Sequence, residues 1–401
     1  QGATVIATDE RPADSLLPYT EETFGQAELI VLSPGVPADL PLLNKPRKTG
    51  TPILGEVELA SYFLKGPVIG ITGSNGKTTT TAMIGHILME AGIDCQLGGN
   101  IGTAPTAMVA DSREEQWNVL ELSSFQLETI DEFRAQISVC MNVTPDHLDR
   151  HHSFQNYSDA KARLFETQEA EDYAVLNADD RACVGFASRS RAKVFWFSAT
   201  RPVTPGLWLN AGTLICDGVP LLRVDEIPLR GMHNVENTMA AASACRLAGA
   251  SLQAIGAGVR SFPGVPHRLE FIREYNGVQY FNDSKATNID ATLKAIDAFP
   301  GGLWIILGGK DKDSDYAPLR EKLRTKARRV LLIGAAADKI AAQLEGLPLI
   351  PAGTMENAIG IASSQAKSGD VVLLAPACAS FDQFENYEHR GRVFSEAVRS
   401  L

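Results

Sequence analysis

The sequence lacks the features that mark secreted, zinc-ribbon and membrane proteins. Its six cysteines are scattered, and no two of them form a CxxC pair. This pattern suits free thiols in a reducing compartment better than a disulfide framework or a zinc site. No apolar run reaches the roughly 20 residues that a membrane-spanning helix needs, and no basic segment followed by an apolar one opens the chain. We therefore expect a cytoplasmic protein that does not bind a membrane.

Basic residues are also fewer than acidic ones. The chain has 37 Lys and Arg against 48 Asp and Glu, a formal net charge of −11. An acidic surface repels polyanions, which argues against a general nucleic-acid binder, although local basic clusters can still hold small phosphorylated ligands. The 401 residues exceed the roughly 250–300 at which one hydrophobic core stops growing, so we expect two or three domains.

The pattern of apolar runs and turns predicts an α/β protein. Residues 1–57 carry short β-type runs at 3–8 and 29–32 but lack the first strand and glycine-rich turn of a Rossmann-like domain. We therefore expect a domain of this kind that is truncated at its N-terminus.

Two further α/β patterns follow. Residues 58–264 alternate strand-like and helical stretches, with a small antiparallel insertion at 207–224, and predict a parallel sheet of the P-loop ATPase type. A Pro/Gly cluster at 262–266 is the predicted hinge to a C-terminal, Rossmann-like domain over 265–401.

The strongest local signal is the segment Thr72–Thr79, which lies between an apolar strand and a helical stretch. Its glycines allow backbone N–H groups to surround phosphates, Lys77 supplies a positive charge, and the Thr78 hydroxyl can reach Mg²⁺. Ile71 stands where the usual phosphate loop has glycine. The alternative is a glycine turn at a helix start without a ligand, but the Gly-Lys-Thr pattern favours a nucleotide site.

Two further polar residues follow predicted strands. Glu121 and His147 would meet at the carboxyl edge of a parallel sheet and could share a metal ion with Thr78. A solvated acid and a histidine with ordinary protein partners are the alternatives. A zinc pair of His147 and His151 lacks a third ligand and the glutamate of a metalloprotease helix. Lys161 lies on a predicted helix, and its residue type alone predicts a side chain at the surface.

The order of these motifs resembles the Mur ligase superfamily over essentially the whole chain, and within it the ligases that add D-glutamate to UDP-N-acetylmuramoyl-L-alanine. The motifs that carry the resemblance, in order, are Ser33–Val36, Gly73–Thr79, Gly98–Gly102, the Glu121 and His147 segments, Gly231–Asn237, Pro266–Glu270, Asn282–Asn288, Gly308–Lys312 and Ala375–Phe384. The departure at Ile71 is itself typical of this superfamily.

The resemblance implies ATP as a substrate and two Mg²⁺ ions as cofactors. Thr78 and Glu121 would hold one ion and His147 the second, with a carbamylated Lys161 bridging them. The ATP-binding residues that it implies are Gly73, Ser74, Asn75, Gly76, Lys77, Thr78, Thr79, Asn234, Asn237, His267, Arg268 and Asp283. For Asn237 and Asp283, ordinary helix and turn capping are the alternatives.

The resemblance also assigns two substrate sites. The residues implied for the UDP substrate are Asp9, Arg11, Ser33, Gly35, Asn100, Ser123 and Gln126. The residues implied for D-glutamate are Thr287, Lys312, Ser380 and Tyr387, the last of which stands where phenylalanine is frequent. The alternative for residues 375–384 is a plain loop with a helix N-cap at Ser380.

The implied reaction activates the L-alanyl carboxylate as an acyl phosphate, which the D-glutamate amine then attacks. The residues expected to take part are Lys77, His147, Lys161 and Arg268, with His147 as a metal ligand and not a base. Rival hypotheses are a superfamily member with another amino-acid substrate, and a nucleotide-binding scaffold without turnover. The resemblance suits a monomer.

Overall fold

The computed structural model describes residues 4–9, 19–311 and 313–401, and these form two compact units. The first runs to Leu222 and includes Met239–Gly258; the second consists of Arg223–Thr238 and Val259–Leu401. The three-domain boundaries at residues 57 and 264 stay a prediction. No helix in the described ranges is both long and apolar enough to span a bilayer.

The strands alternate with helices along most of the described chain. The strands are β1 (Ile30–Leu32), β2 (Ile53–Gly55), β3 (Val68–Thr72), β4 (Cys95–Gly99), β5 (Trp117–Glu121), β6 (Ile137–Cys140), β7 (Tyr173–Asn177), β8 (Lys193–Ser198), β9 (Gly206–Asn210), β10 (Thr213–Cys216), β11 (Val219–Arg223), β12 (Glu270–Tyr275), β13 (Val278–Asn282), β14 (Leu303–Gly308), β15 (Ala327–Ile333), β16 (Leu349–Gly353) and β17 (Val371–Leu374).

The helices connect these strands. They are α1 (Glu21–Gly25), α2 (Asn44–Thr49), α3 (Glu56–Ser61), α4 (Lys77–Glu90), α5 (Pro105–Met108), α6 (Ser124–Leu127), α7 (Leu148–His151), α8 (Phe154–Glu166), α9 (Arg181–Phe186), α10 (Met232–Leu247), α11 (Leu252–Ser261), α12 (Ile289–Asp297), α13 (Arg320–Lys326), α14 (Ala337–Gln343), α15 (Met355–Gln365) and α16 (Tyr387–Arg399). Short 3₁₀ turns lie at Pro41–Leu43, Val109–Asp111, Ala187–Arg189, Val224–Glu226 and Ala317–Leu319.

A nine-stranded sheet forms the centre of the first unit, in the order β11-β10-β9-β8-β7-β6-β3-β5-β4. Strand β3 pairs in parallel with both β5 and β6, so that the ends of these three strands lie side by side. All five residues of β3 are buried, as expected for a strand covered on both faces. The predicted antiparallel insertion is not separate from the sheet, because β9 pairs in parallel with β8 and β10 in antiparallel with β9.

The second unit has a six-stranded sheet in the order β12-β13-β17-β14-β15-β16. Its strands are parallel except for β12, which pairs in antiparallel with β13 at one edge. Alternate residues of β14 pack into different cores: Leu303 and Ile305 on one face, Trp304 and Ile306 on the other. This alternation is the side-chain geometry of a strand between two helical layers. The predicted α/β class is confirmed.

The N-terminal part differs from the prediction. The expected strand over residues 3–8 is wrong for the residues described, because 4–9 form no strand and Thr8 makes only an isolated bridge. The second predicted run does form β1, which pairs in parallel with β2. A strand requires a continuous series of backbone pairs, and apolar composition alone does not guarantee one.

Candidate functional site

The phosphate-loop segment joins the end of β3 to the start of α4. Gly73 has φ 142° and Gly76 has φ 90°, values in the region that favours glycine. A Cβ atom at Gly73 would lie 3.1 Å from Met141 Cε and 3.3 Å from the Asn142 carbonyl oxygen. Helix α4 begins at Lys77, so its first-turn N–H groups and positive dipole end face the loop. This geometry suits an anion.

Asn142 and Ser74 fix the shape of this loop. The backbone N–H groups of Ser74 and Asn75 donate to the Asn142 carbonyl and to Asn142 Oδ1, both at 2.9 Å. Asn142 Nδ2 donates in return to the Asn75 carbonyl at 3.2 Å. Ser74 Oγ donates to the Thr144 carbonyl at 2.9 Å and lies 3.0 Å from Tyr157 Oη. Ser74 and Asn75, predicted for ATP, thus brace the loop against the segment after β6.

Two lysines converge on one carbonyl oxygen of the loop. Lys77 Nζ and Lys161 Nζ each donate to the Gly73 carbonyl at 2.9 Å. Lys161 is 1% exposed, so the interpretation as a surface lysine is wrong. Burial, reinforced by the nearby Lys77 charge, lowers the pKa of Lys161 from its ordinary 10.5 to about 7. A substantial fraction of this amine is therefore neutral near neutral pH.

The sequence did contain a signal for the burial of Lys161. Helix α8 buries Tyr157, Ala160 and Leu164 together with Lys161, and these positions fall on one face of a helix. The position of a lysine on an apolar helix face therefore predicts its burial better than its residue type does.

Glu121, at the end of β5, is also buried, with 2% of its surface exposed. Its Oε1 accepts from Asn100 Nδ2 at 2.9 Å, but its Oε2 is buried without a hydrogen-bond partner in the described part of the chain. The alternative of a solvated acid is therefore wrong. A buried carboxylate oxygen without a donor is costly and fits a cation ligand. Thr78, buried at the start of α4, is the hydroxyl expected to share that cation.

His147 lies in an unusual backbone conformation at the start of α7, with φ 51° and ψ 36°. Its side chain is 49% exposed, and its ring meets the edge of Phe125 at 4.9 Å. No group of three or more His, Cys, Asp or Glu side chains in the described ranges is placed to hold a metal. The zinc alternative therefore has no ligand set there, whereas Mg²⁺ commonly takes one or two carboxylates and completes its shell with water and phosphate.

The residues predicted for the UDP substrate fall into separate segments of the first unit. Ser33 and Gly35 are exposed in a turn closed by a 2.9 Å bond from the Val36 N–H to the Ser33 carbonyl. Ser123 caps α6 through a reciprocal bond pair with Gln126. Asp9 is exposed, whereas Arg11 lies outside the described residues.

In the second unit, the segment around His267 and the end of β13 come together. Asn282 Nδ2 lies 2.9 Å from His267 Nδ1 and donates to the Gly391 carbonyl at 3.0 Å. Asp283 Oδ1 accepts from the Leu269 N–H at 3.3 Å. Burial raises the pKa of Asp283 to about 7, although the Arg268 charge opposes this. Burial also lowers the pKa of His267.

Asn234 and Asn237 lie in the first turns of α10. Asn234 Nδ2 donates to the Arg230 carbonyl at 2.8 Å, and Asn237 Nδ2 donates to Asn234 Oδ1 at 3.1 Å. Asn237 lies within the helix and does not cap it. The capping alternative for Asn237 is therefore wrong.

The segments predicted for D-glutamate are also in the second unit. Ser380 is buried in a turn, and its carbonyl accepts from the N–H groups of Gln383 and Phe384. Helix α16 begins only at Tyr387 and is capped by Asn386, so the N-cap alternative for Ser380 is wrong. Thr287 is half-buried before α12. Lys312 lies outside the described residues.

Arg390, which the sequence analysis missed, ties these segments together. It is fully buried and donates to Ser284 Oγ, the Ser284 carbonyl and the Cys378 and Ala379 carbonyls at 2.8–3.2 Å. Ser284 Oγ donates in turn to the Tyr387 carbonyl at 2.8 Å. The available signal was the same as for Lys161, because Arg390 precedes the buried Phe394 by one helical turn.

Comparison with known proteins agrees with this architecture. Residues 71–245 match the Mur ligase middle domain, and residues 267–378 match the Mur ligase glutamate ligase domain. The chain is 59% identical to a UDP-N-acetylmuramoylalanine–D-glutamate ligase of Solibacter usitatus, with all of this chain and 93% of that protein covered. A protein of the same name from Acidobacterium capsulatum is 52% identical, with 99% and 91% covered.

Solved structures share the fold at low identity. The MurF ligase from Thermotoga maritima in complex with ADP has a TM-score of 0.65 at 18% identity, covering 92% of this chain and 95% of its own. A pseudomurein peptide ligase type C from Methanothermus fervidus also has a TM-score of 0.65, at 20% identity, with 96% and 90% covered.

Proposed function

We infer that this chain, which belongs to the UDP-N-acetylmuramoylalanine–D-glutamate ligases of the Mur ligase family, uses ATP to join D-glutamate to UDP-N-acetylmuramoyl-L-alanine. This is an amide-forming step of peptidoglycan precursor synthesis. The observation that carries the mechanism is the convergence of Lys77 and the buried Lys161 on the phosphate loop. The cytoplasmic location and monomeric state expected from the sequence stay predictions.

Lys77, Thr78 and Glu121 form the nucleotide and metal side of the proposed site. Lys77 neutralises phosphate charge at the start of α4, where the helix dipole acts in the same direction. We assign Mg²⁺ to the Thr78 hydroxyl and to the buried Oε2 of Glu121, which has no hydrogen-bond partner among the described residues. When bound, this ion supplies positive charge to the phosphate oxygens during phosphoryl transfer.

Lys161 is proposed to carry a carbamate. Only a neutral amine attacks carbon dioxide, forming an N–C bond and releasing one proton, and a pKa of about 7 keeps much of this amine neutral. The product is a carboxylate on a buried helix face beside the Gly73 carbonyl. Together with His147 it would hold a second Mg²⁺, because the modification converts a cation into an oxygen ligand.

The proposed chemistry has two steps. The L-alanyl carboxylate attacks the γ-phosphorus of ATP and ADP leaves, which gives an acyl phosphate. The D-glutamate amine then attacks the acyl carbon, an amide bond forms as the nitrogen releases one proton, and phosphate leaves with the electron pair of the broken C–O bond. Lys77 and Arg268 are proposed to counter negative charge in the first step, an electrostatic role that dominates such transfers.

The second unit is proposed to select the amino acid. Thr287 and Lys312 would bind the α-carboxylate of D-glutamate, and Ser380 with the backbone at Tyr387 the side-chain carboxylate. Arg390 supports this proposal because it holds the Ser284 carbonyl and the Cys378 and Ala379 carbonyls, which directly precede Ser380. A site fixed by buried hydrogen bonds discriminates between substrates better than a mobile one.

The test is phosphate release by the chain with Mg-ATP and UDP-N-acetylmuramoyl-L-alanine. D-glutamate is compared with L-glutamate, L-alanine and meso-diaminopimelate, and Lys77→Met serves as the control for contaminating ATPases. We expect release with D-glutamate alone. Release with another amino acid would transfer the chain to a different branch of the family, and absence of release with all four would contradict the proposal.

A further inference from the structure

A chain of hydrogen bonds and one ion-pair contact in the first unit links the Ser33–Val36 turn to α6 and α7. Arg150 Nη2 donates to the Val36 carbonyl at 3.1 Å and to Glu128 Oε2 at 2.8 Å. The other Glu128 oxygen lies 3.2 Å from His151 Nδ1. His151 Nε2 then lies 3.0 Å from Ser124 Oγ, in the first turn of α6. We call Ser124, Glu128, Arg150 and His151 the Arg150 network.

The Arg150 network is shielded from water. The side chains of Arg150 and Glu128 are 17% and 18% exposed, and that of His151 only 3%. The Glu128 carboxylate can only accept, so its 3.2 Å contact with His151 Nδ1 favours a proton on Nδ1 and leaves Nε2 to accept from the Ser124 hydroxyl. Charge-assisted hydrogen bonds such as the one from Arg150 to Glu128 hold their geometry well where water has little access.

The ring of Phe125 is a second link between the same elements. The Arg150 guanidinium carbon lies 5.2 Å from its centroid, and the His151 ring stacks on it at 5.6 Å with an interplanar angle of 28°. His147 meets the same ring edge-on at 4.9 Å. Phe125 thus connects Arg150 and His151 to His147.

Helix α7 needs such external support. It has only four residues, too few to be stable alone, and it lies between two residues with left-handed backbones, His147 at φ 51° and His152 at φ 63°. Such a backbone is strained for a residue with a side chain and persists only where surrounding contacts enforce it. Arg150 and His151 are the last two residues of α7 and make those contacts.

We propose that Arg150 and His151 are positioning residues that couple the UDP-substrate turn to the metal side of the site. The inference rests on the proposed function, in which Ser33 and Gly35 bind the UDP substrate and His147 binds Mg²⁺. Arg150 lies in α7, which begins directly after His147, and it also donates to the Val36 carbonyl. The contacts of α7 therefore hold both the Val36 carbonyl and His147 in place. Loss of that support disturbs UDP-substrate binding and the Mg²⁺ requirement together and leaves the D-glutamate requirement unchanged.

The test compares Arg150→Met, which keeps the length of the side chain but loses its donors, with Arg150→Lys, which keeps the charge. Arg113→Met is the matched control, because the side chain of Arg113 is exposed and forms a surface ion pair with Asp94. His151→Phe keeps a ring that can stack on Phe125 and removes both ring nitrogens. The dissociation constant for UDP-N-acetylmuramoyl-L-alanine is measured by calorimetry without D-glutamate. The Mg²⁺ and D-glutamate dependences are then measured from turnover.

We expect Arg150→Met and His151→Phe to weaken UDP-substrate binding about tenfold and to raise the half-saturating Mg²⁺ concentration severalfold, since small displacements of binding groups have effects of this size or larger. Arg150→Lys should recover part of the loss, and Arg113→Met should match the wild type. Reduced thermal stability with unchanged substrate binding and Mg²⁺ dependence would overturn the inference. Failure of the wild type to bind the UDP substrate would refute the proposed function, and the inference with it.

Discussion

Replacement of Lys161 by methionine should abolish turnover without destabilising the protein. Replacement of a buried polar residue usually lowers the free energy of unfolding, because its hydrogen-bond partners are left unsatisfied. Lys161 differs, since its acceptor, the Gly73 carbonyl, also accepts from Lys77 Nζ at 2.9 Å. Methionine fills a similar volume on the apolar face of α8 and needs no hydrogen bond.

The magnitude follows from the pKa of Lys161, which falls from 10.5 in an ordinary lysine to about 7. At pH 8 the unfolded chain holds an ammonium and the folded chain mostly an amine. Releasing that proton at pH 8 costs folding about 3 kcal/mol, at about 1.4 kcal/mol per tenfold change in protonation. The penalty is largest at pH 7 and below and disappears as the pH rises toward 10.5. Lys161→Met has no such penalty, so its unfolding free energy at pH 8 should equal or exceed that of the wild type.

Turnover should behave in the opposite way, falling by at least about a hundredfold, the usual effect of removing one preorganised electrostatic group. Urea unfolding at pH 8 gives the stability, phosphate release gives the rate, and ¹³C NMR with labelled bicarbonate should show a carbamate carbon in the wild type only. Lys193→Met, at an exposed position of β8, is the matched control. Near-normal turnover of Lys161→Met would remove the carbamate from the mechanism, and a large loss of stability would refute the burial argument.

Four further substitutions test other parts of the account. Glu121→Gln should raise the half-saturating Mg²⁺ concentration at least about tenfold without lowering thermal stability; an unchanged Mg²⁺ titration of turnover would contradict the metal assignment. The folded-state pKa of Asp283, about 7, exceeds its ordinary 3.8, so between these pH values the folded chain binds more protons than the unfolded one. The wild type should therefore lose stability as the pH rises from about 4 to 7, and Asp283→Asn should remove this loss. Parallel stability curves from urea unfolding at pH 4, 5.5 and 7 would count against this. Arg390→Met should lower the unfolding free energy by roughly 1–3 kcal/mol for each buried carbonyl that is left without a donor. Any remaining activity should show a larger increase in KM for D-glutamate than for ATP; an unaffected KM for D-glutamate would limit Arg390 to a role in stability. Lys312→Ala should raise the D-glutamate requirement much more than the ATP requirement, and equal effects on both would remove Lys312 from the amino-acid site.

Local patterns predicted the fold well wherever neighbouring residues determine the structure. Residues 73–76 form the expected loop between β3 and α4, because glycine spacing and apolar flanks are properties of the sequence nearby. The predicted run at residues 29–32 forms β1 (Ile30–Leu32). The run at residues 3–8 has a similar composition, yet 4–9 form no strand.

Long-range partners are what the sequence could not provide. Glu58 is fully buried and accepts from the N–H groups of Asp131, Glu132 and Phe133 at 2.8–3.0 Å, across more than seventy residues. Arg390 likewise reaches back across 106 residues to Ser284. Residue type predicts exposure for both side chains, and only the folded arrangement reveals the partners that make their burial possible. For Arg390, as for Lys161, helical periodicity indicates the burial but not the partners.

The bracing of the phosphate loop by Asn142 has a consequence for the thermodynamics of nucleotide binding. Reciprocal bonds between Asn142 and Asn75 order the loop during folding, and ordering a backbone residue costs roughly 1–2 kcal/mol in conformational entropy. A nucleotide that meets an ordered loop does not have to supply that free energy again. The braced loop should therefore bind nucleotide with a small entropic penalty. In a variant without the Asn142 side chain, calorimetry should show weaker nucleotide binding that results from a larger entropy loss and not from a smaller binding enthalpy.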